Sequence, residues 1–126
     1  MTASRKILIA DDEPLLTEML EFRLRAKGYE TIIAHDGREA LDKFRAEQPC
    51  AVVLDAMMPV YDGMEVLRRI RQEDHNADVP IIVLSARRNE EDIVRALEAG
   101  ASDYIVKPFL PEELMIRLQR LLATRR

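Results

Sequence analysis

Three short acidic or basic signatures and one hydroxyl stand out in this sequence: Asp11-Asp12-Glu13, Asp55, Ser85-Ala86 and Lys107-Pro108. Carboxylates brought to one place repel each other unless a cation sits among them. Their oxygens are hard ligands, which suit Mg²⁺ or Mn²⁺ rather than zinc. Mg²⁺ typically takes one or two carboxylates, keeps some water and accepts the rest of its shell from a phosphate. A lysine and a hydroxyl facing such an ion would each bind an oxygen of a transferring phosphoryl group. An aspartate at the centre of that arrangement can itself be the nucleophile, forming an aspartyl phosphate. Asp-Asp alone is a common loop and helix-cap signal. The chemistry is carried by the joint occurrence, provided that the fold gathers all four segments.

The elements between these residues supply the means. Strands are expected at Lys6–Ala10, Glu30–Ala34, Ala51–Asp55, Pro80–Ser85 and Asp103–Val106. The first, third and fourth are almost continuously apolar, as in a parallel sheet covered on both faces. Pro14 suits the first turn of a helix running to about Lys27, and Gly28 suits its stop. Asp36-Gly37-Arg38-Glu39 and Asp62-Gly63-Met64-Glu65 have capping-box spacing. Asn89 can cap a helix that ends at Gly100, and Pro111 opens a last helix with a stripe of Leu114, Met115, Leu118, Leu121 and Leu122. Strict βα alternation predicts an α/β fold, a single (βα)5 doubly wound parallel sheet with helices on both faces. Ligands bind such sheets outside the carboxyl ends of the strands, and each chemical signature lies at or just past the end of a strand.

The chain has 126 residues, 48% hydrophobic and 33% charged, which predicts one soluble globular domain over 1–126 with an ordered core at about 6–122. Trp is absent, so aliphatic residues must build the core. A net charge of -4 gives no global electrostatic reason to bind nucleic acid. Cys50 cannot form an internal disulfide and is expected to be plain core. His35 and His75 lack ligand spacing and are expected at the surface or in loops. No apolar run reaches the ~18 residues of a membrane span, and Ile7-Leu8-Ile9-Ala10 is no secretory signal. The expected compartment is the cytoplasm.

Ala10-Asp11-Asp12-Glu13, Asp55-Ala56-Met57-Met58-Pro59-Val60-Tyr61-Asp62-Gly63, Ser85-Ala86 and Gly100-Ala101-Ser102-Asp103-Tyr104-Ile105-Val106-Lys107-Pro108-Phe109 together resemble the response-regulator receiver domain of two-component signalling. The resemblance runs from about Lys6 to Leu122. It implies a flavodoxin-like strand order, 2-1-3-4-5. It implies that Asp55 is the phosphoryl acceptor, that Asp12 binds Mg²⁺ directly with help from Asp11, and that the Met57 backbone carbonyl is a further ligand. Ser85 and Lys107 would bind phosphoryl oxygens, Tyr104 would be the rotameric switch, and the Lys107–Pro108 bond would be cis. Three positions depart from the family pattern: Ser85 stands where Thr is more frequent, Val60-Tyr61 replaces a common Gly-containing pair, and Ser102 replaces a frequent acidic residue.

The implied activity is a signalling switch, not an enzyme acting on other substrates. It catalyses its own phosphorylation from a sensor histidine kinase or phosphotransfer protein, and its own slow dephosphorylation. An output domain beyond Arg126 and a weak homodimer through the fourth helix, fifth strand and fifth helix are further implications. The dimer would use Arg95 with Glu113 and Asp103 with Arg117, while a third family pair is lost at Ser102 and Thr124. Two other classes fit less well. A haloacid-dehalogenase-like phosphatase needs a general acid two residues after its nucleophile, and Met57 cannot donate a proton. A flavodoxin-type flavin module must cradle a phosphate in its first loop, and Asp11-Asp12-Glu13 would repel it.

Overall fold

A computed structural model describes residues 5–73 and 78–124. The chain alternates β1 (Lys6–Ala10), α1 (Pro14–Ala26), β2 (Glu30–Ala34), α2 (Gly37–Glu47), β3 (Ala51–Asp55), α3 (Gly63–Gln72), β4 (Ile81–Ser85), α4 (Glu90–Glu98), β5 (Asp103–Val106) and α5 (Pro111–Thr124). The strands pair in parallel in the order β2-β1-β3-β4-β5. Every strand therefore ends at the same edge of the sheet, and the expected architecture is the observed one.

Side chains alternate across the sheet because successive Cβ atoms point to opposite faces. Leu8, Val52, Leu54, Ile81 and Val83 pack on one side against Leu41 and Phe44 of α2 and Leu67 and Ile70 of α3. Ile7, Ile9, Val53, Ile82 and Leu84 pack on the other against Leu20 and Leu24 of α1 and Leu114, Met115 and Leu118 of α5. All five residues of β3 and of β4 are buried. Burial on both faces is what the continuous apolar runs encode.

The helix starts follow their capping residues. Asp36, Asp62 and Asn89 each accept a backbone N–H three residues on, from Glu39, Glu65 and Asp92. Glu39 also reaches back, but to the His35 N–H at 2.6 Å. Glu65 instead binds Arg68 and Arg69, so its capping box is half made. Two expected boundaries move slightly. Pro80 lies outside β4, since it has no N–H to give the ladder, although its carbonyl still accepts from Val52 at 2.9 Å. The Ala99 C-cap ends α4 before Gly100, whose φ of +114° turns the chain into β5. Cys50 is only half-buried, because it precedes β3 at the rim of the α1/α5 core rather than within it. His35 is exposed, as expected, and His75 lies outside the described residues. No helix among the described residues is long and apolar enough to cross a membrane.

Candidate functional site

The carboxyl edge of the sheet gathers the residues that the sequence singled out. Asp11 follows β1 and is fully buried; Asp55 ends β3 and is 4% exposed; Ser85 ends β4 and is 2% exposed. Lys107 follows β5, and its N–H donates to the Ser85 carbonyl at 2.8 Å, extending the β4–β5 ladder by one bond. Its side chain turns back across the edge. Lys107 Nζ lies 3.0 Å from Asp11 Oδ2, 3.2 Å from Glu13 Oε1 and 3.4 Å from Asp55 Oδ1. Residues almost a hundred positions apart thus meet, and the Lys107–Pro108 bond is cis, as the motif implied.

Asp11, Asp12 and Asp55 each offer a carboxylate oxygen within 4.8 Å of the others. Asp11, Asp55 and Glu13 share the Lys107 ammonium, and Asp12 adds a fourth carboxylate beside them. The protein records the imbalance in its proton affinities. Asp55 is raised from 3.8 to about 6, first by burial and then by the Asp11 charge, with Lys107 and the Met57 N–H opposing. Burial pulls Lys107 down, yet its hydrogen bond to Asp11 and the charges of Asp11 and Asp55 outweigh this and raise it. A carboxylate cluster that its own lysine leaves under-neutralised fits a hard divalent cation, and the all-oxygen donor set fits Mg²⁺. Asp11, Asp12 and Asp55 are the groups that could hold it.

The loop after β3 is tightly constrained. Met57 is exposed, and its N–H donates to Asp55 Oδ1 at 3.3 Å. The Gly63 N–H donates to the Ala56 carbonyl at 2.9 Å, and the Gly37 N–H to the Pro59 carbonyl at 3.1 Å. A Cβ on Gly63 would come within 2.3 Å of the Asp55 carbonyl, so only glycine lets α3 start this close to Asp55. Between these anchors Val60 takes φ +72°, the left-handed region. The substitution noted in the sequence thus falls where the backbone favours glycine.

Ser85 and Tyr104 sit beside this centre without joining the lysine–carboxylate cluster. The Ser85 hydroxyl accepts the Arg87 N–H at 3.1 Å. Tyr104 is half-buried, and its hydroxyl donates to the Arg87 carbonyl at 2.9 Å. Residue 87 therefore connects the hydroxyl beside the site to the aromatic ring. Two further groups border the cluster, Glu13 and His35. Glu13 was legible as part of an acidic triplet. His35 Nδ1 lies 3.3 Å from the Asp11 carbonyl, a contact to main chain that no spacing announces.

The charges expected to pair across a dimer are engaged within one chain. Arg117 binds Asp103 at 3.0 Å and Glu113 at 3.0 Å, and Arg95 lies 4.0 Å from Asp92. Ser102 accepts the Ile81 N–H at 3.0 Å, and Thr124 donates to the Leu121 carbonyl at 3.1 Å.

Comparison with known proteins bears on this geometry. The family model described as the response regulator receiver domain matches residues 7–119. The "Probable transcriptional regulator ycf27" of Cyanophora paradoxa is 48% identical over 118 residues, 94% of this chain and 48% of that protein. The chain thus spans about half the length of the curated relatives it matches. The receiver domain of Francisella response regulator 1452 is 34% identical with a TM-score of 0.88, covering 95% of this chain and 98% of that one. The receiver domain of the sensor histidine kinase PA1611 from Pseudomonas aeruginosa PAO1 is 34% identical with a TM-score of 0.86, covering 97% of this chain and 100% of that one. That domain carries a magnesium ion coordinated in its active site cleft.

Proposed function

Because the chain belongs to the response regulator receiver domain family of two-component signalling, we propose that it is a switch operated by phosphorylation of Asp55. The observation that carries the reading is the position of Lys107. Its ammonium stands 3.4 Å from a buried aspartate and 3.0 Å from a second one, at an edge where a third completes a cation-binding set.

A carboxylate oxygen of Asp55 attacks the phosphorus of a phosphohistidine or small acyl phosphate. The new O–P bond forms as the donor's bond to phosphorus breaks, and the leaving group keeps the electron pair. With its affinity for protons near 6, Asp55 is largely ionised above neutral pH, so the attacking form is present. Lys107 offers N–H donors to the phosphoryl oxygens and, once Asp55 is an acyl phosphate, keeps Asp11 as its partner. The Ser85 hydroxyl, at the end of the neighbouring strand, is a second donor for those oxygens. Bound Mg²⁺ supplies the positive charge that relieves the carboxylates and screens the incoming phosphoryl group.

The same hydroxyl offers a readout. Drawn towards a phosphoryl group, Ser85 gives up its contact with the Arg87 N–H, and the carbonyl of that residue is where the Tyr104 hydroxyl is held. The phosphoryl group thus favours one arrangement of this segment over another, which is what a population shift requires. The donor is a histidine kinase or phosphotransfer protein, and the output is a segment or partner reading the α4–β5–α5 face. Dimerisation through that face is weak, because its ion pairs already close within one chain.

Incubation with acetyl phosphate and Mg²⁺ is expected to add one phosphoryl mass to the wild type and none to Asp55→Asn. An unchanged wild-type mass, or a labelled Asn variant, overturns the assignment.

A further inference from the structure

We propose that His35 is a positioning residue for the acidic loop, fixing the peptide plane that leads from Asp11 into Asp12 and so setting the carboxylate cluster for its cation. The proposal rests on the Mg²⁺-site reading above. His35 lies between β2 and α2, and its ring is exposed. Its Nδ1 is 3.3 Å from the Asp11 carbonyl oxygen. A carbonyl only accepts, so Nδ1 carries the hydrogen and donates. The Asp11 N–H in turn donates to the Ala34 carbonyl at 3.0 Å. Both backbone groups of Asp11 are thus held by consecutive residues of the segment that ends β2.

The consequence falls on Asp12. The Asp11 carbonyl and the Asp12 nitrogen share one planar unit. Pinning that carbonyl fixes the rotation with which the chain leaves Asp11, and with it the direction in which Asp12 projects. No side-chain hydrogen bond or ion pair aims the Asp12 carboxylate among the described residues, although its oxygen lies within 4.8 Å of those of Asp11 and Asp55, as a shared ion needs them gathered. The backbone supplies the aim. Asp11 Oδ1 adds to it by accepting the Glu13 N–H at 2.9 Å.

His35 is itself anchored. Its N–H donates to Glu39 Oε1 at 2.6 Å, and the Glu39 N–H donates to Asp36 Oδ1 at 2.8 Å. The first turn of α2 therefore braces the acidic loop through one side chain. An exposed ring buries little, so losing the donor should affect the metal more than the fold.

Calorimetric titration with Mg²⁺, alongside thermal melts in chelator, tests this. His35→Ala and His35→Phe are expected to bind Mg²⁺ about 10-fold more weakly, the lower end of the range seen when a ligand's support is removed. His35→Asn places an amide N–H at the same distance from the backbone as Nδ1 and is expected to restore wild-type affinity. His35→Gln places it one bond further out and should not. Melting temperatures in chelator should match the wild type throughout. Wild-type affinity in His35→Ala, restoration by Phe, or failure of Asn to rescue overturns the proposal. Absence of Mg²⁺ binding by the wild type overturns it together with the metal-site reading, so the two failures are distinct.

Discussion

At the amino edge of the sheet, cations meet the carboxyl ends of helices and the segments that lead into strands. Arg5 donates to the Gly28 carbonyl at 3.1 Å, just past α1, and stacks on Tyr29. Lys6 pairs with Glu47 at 2.9 Å, at the end of α2. Arg71, in the last turn of α3, donates to the Val79 carbonyl at 2.7 Å and the Gly100 carbonyl at 2.9 Å. These contacts complement the negative helix ends that point to this edge. The carboxyl edge receives the positive helix ends, where Asp36, Asp62 and Asn89 serve as caps. Yet it carries more anionic charge than Lys107 neutralises, and two glycines in close backbone contact. One edge is closed by satisfied bonds. The other carries a surplus of carboxylate charge, which the proposed cation and phosphoryl group would complete.

The sharpest way to break this contrast is to spoil the packing beneath Asp55. In Gly63→Ala the new methyl would lie 2.3 Å from the Asp55 carbonyl and 2.8 Å from the Ala56 Cα, and both are backbone. Either α3 or the acceptor strand must move, which is expected to cost about 3 kcal/mol in urea unfolding, with loss of phosphorylation. Wild-type stability in this variant would show that the carboxyl edge is slack.

At the amino edge the corresponding cut is Arg71→Ala. It strips partners from the carbonyl of Val79, a fully buried residue, and from that of Gly100. Leaving such acceptors unmade is expected to cost about 2 kcal/mol. The loss should be the same with Mg²⁺ and with chelator, since nothing in it touches the cluster. A Mg²⁺-dependent loss would merge the two edges into one system.

Asp55→Asn probes the opposite case, a charge that the fold tolerates rather than exploits for stability. The folded-state affinity is raised above the ordinary value of 3.8 to about 6, so the folded protein holds the proton more tightly than the unfolded chain. Stability therefore falls as pH rises from about 4 to about 6 and is flat beyond. In chelator at pH 8 the Asn variant is expected to be more stable by about 1–2 kcal/mol, water at the open side of the cluster screening part of the full shift. Mg²⁺ at ten times its Kd should return about 1.4 kcal/mol to the wild type and narrow the gap. A gap independent of both pH and Mg²⁺ would remove the electrostatic account.

The two edges also differed in how far they could be read from sequence. Apolar runs and caps placed all five strands and helices, because burial and capping act locally on residue type. The parallel arrangement then put Asp11, Asp55, Ser85 and Lys107 at one edge, as their positions after strands required. What sequence did not show was which groups touch main chain. Arg71 reads as one of several charges on α3, and only the fold reveals that it binds carbonyls of β4 and β5 approaches. His35 reads as a loop residue, and its contact with Asp11 depends on how β1 and β2 align. Ser102, which lacks the family's frequent charge, turns out to hold the Ile81 N–H that Pro80 leaves at the strand start.

Val60 gives the smallest expected effect and separates strain from charge at the same edge. The Pro59 carbonyl is held by the Gly37 N–H at 3.1 Å, and Asp62 must cap α3 through the Glu65 N–H at 2.9 Å. Tyr61 is wedged against Gly37, and Arg69 lies 4.3 Å over its ring. With both neighbours fixed, Val60 bridges them at φ +72° although its β-branched side chain disfavours that region. The conformation costs about 1–2 kcal/mol relative to glycine. Glycine gives back about 0.5–1 kcal/mol through the greater freedom of the unfolded chain. The side chain is 66% exposed, so its removal forfeits little packing. Val60→Gly is therefore expected to stabilise the protein by about 0.5–1 kcal/mol, or about 2–4 °C in Tm. Val60 carries no charge, so the gain should be identical at pH 5 and pH 8 and with or without Mg²⁺. Destabilisation would show that the valine side chain packs usefully despite its exposure, whereas a gain that vanished with Mg²⁺ would tie the turn's strain to the state of the carboxylate cluster.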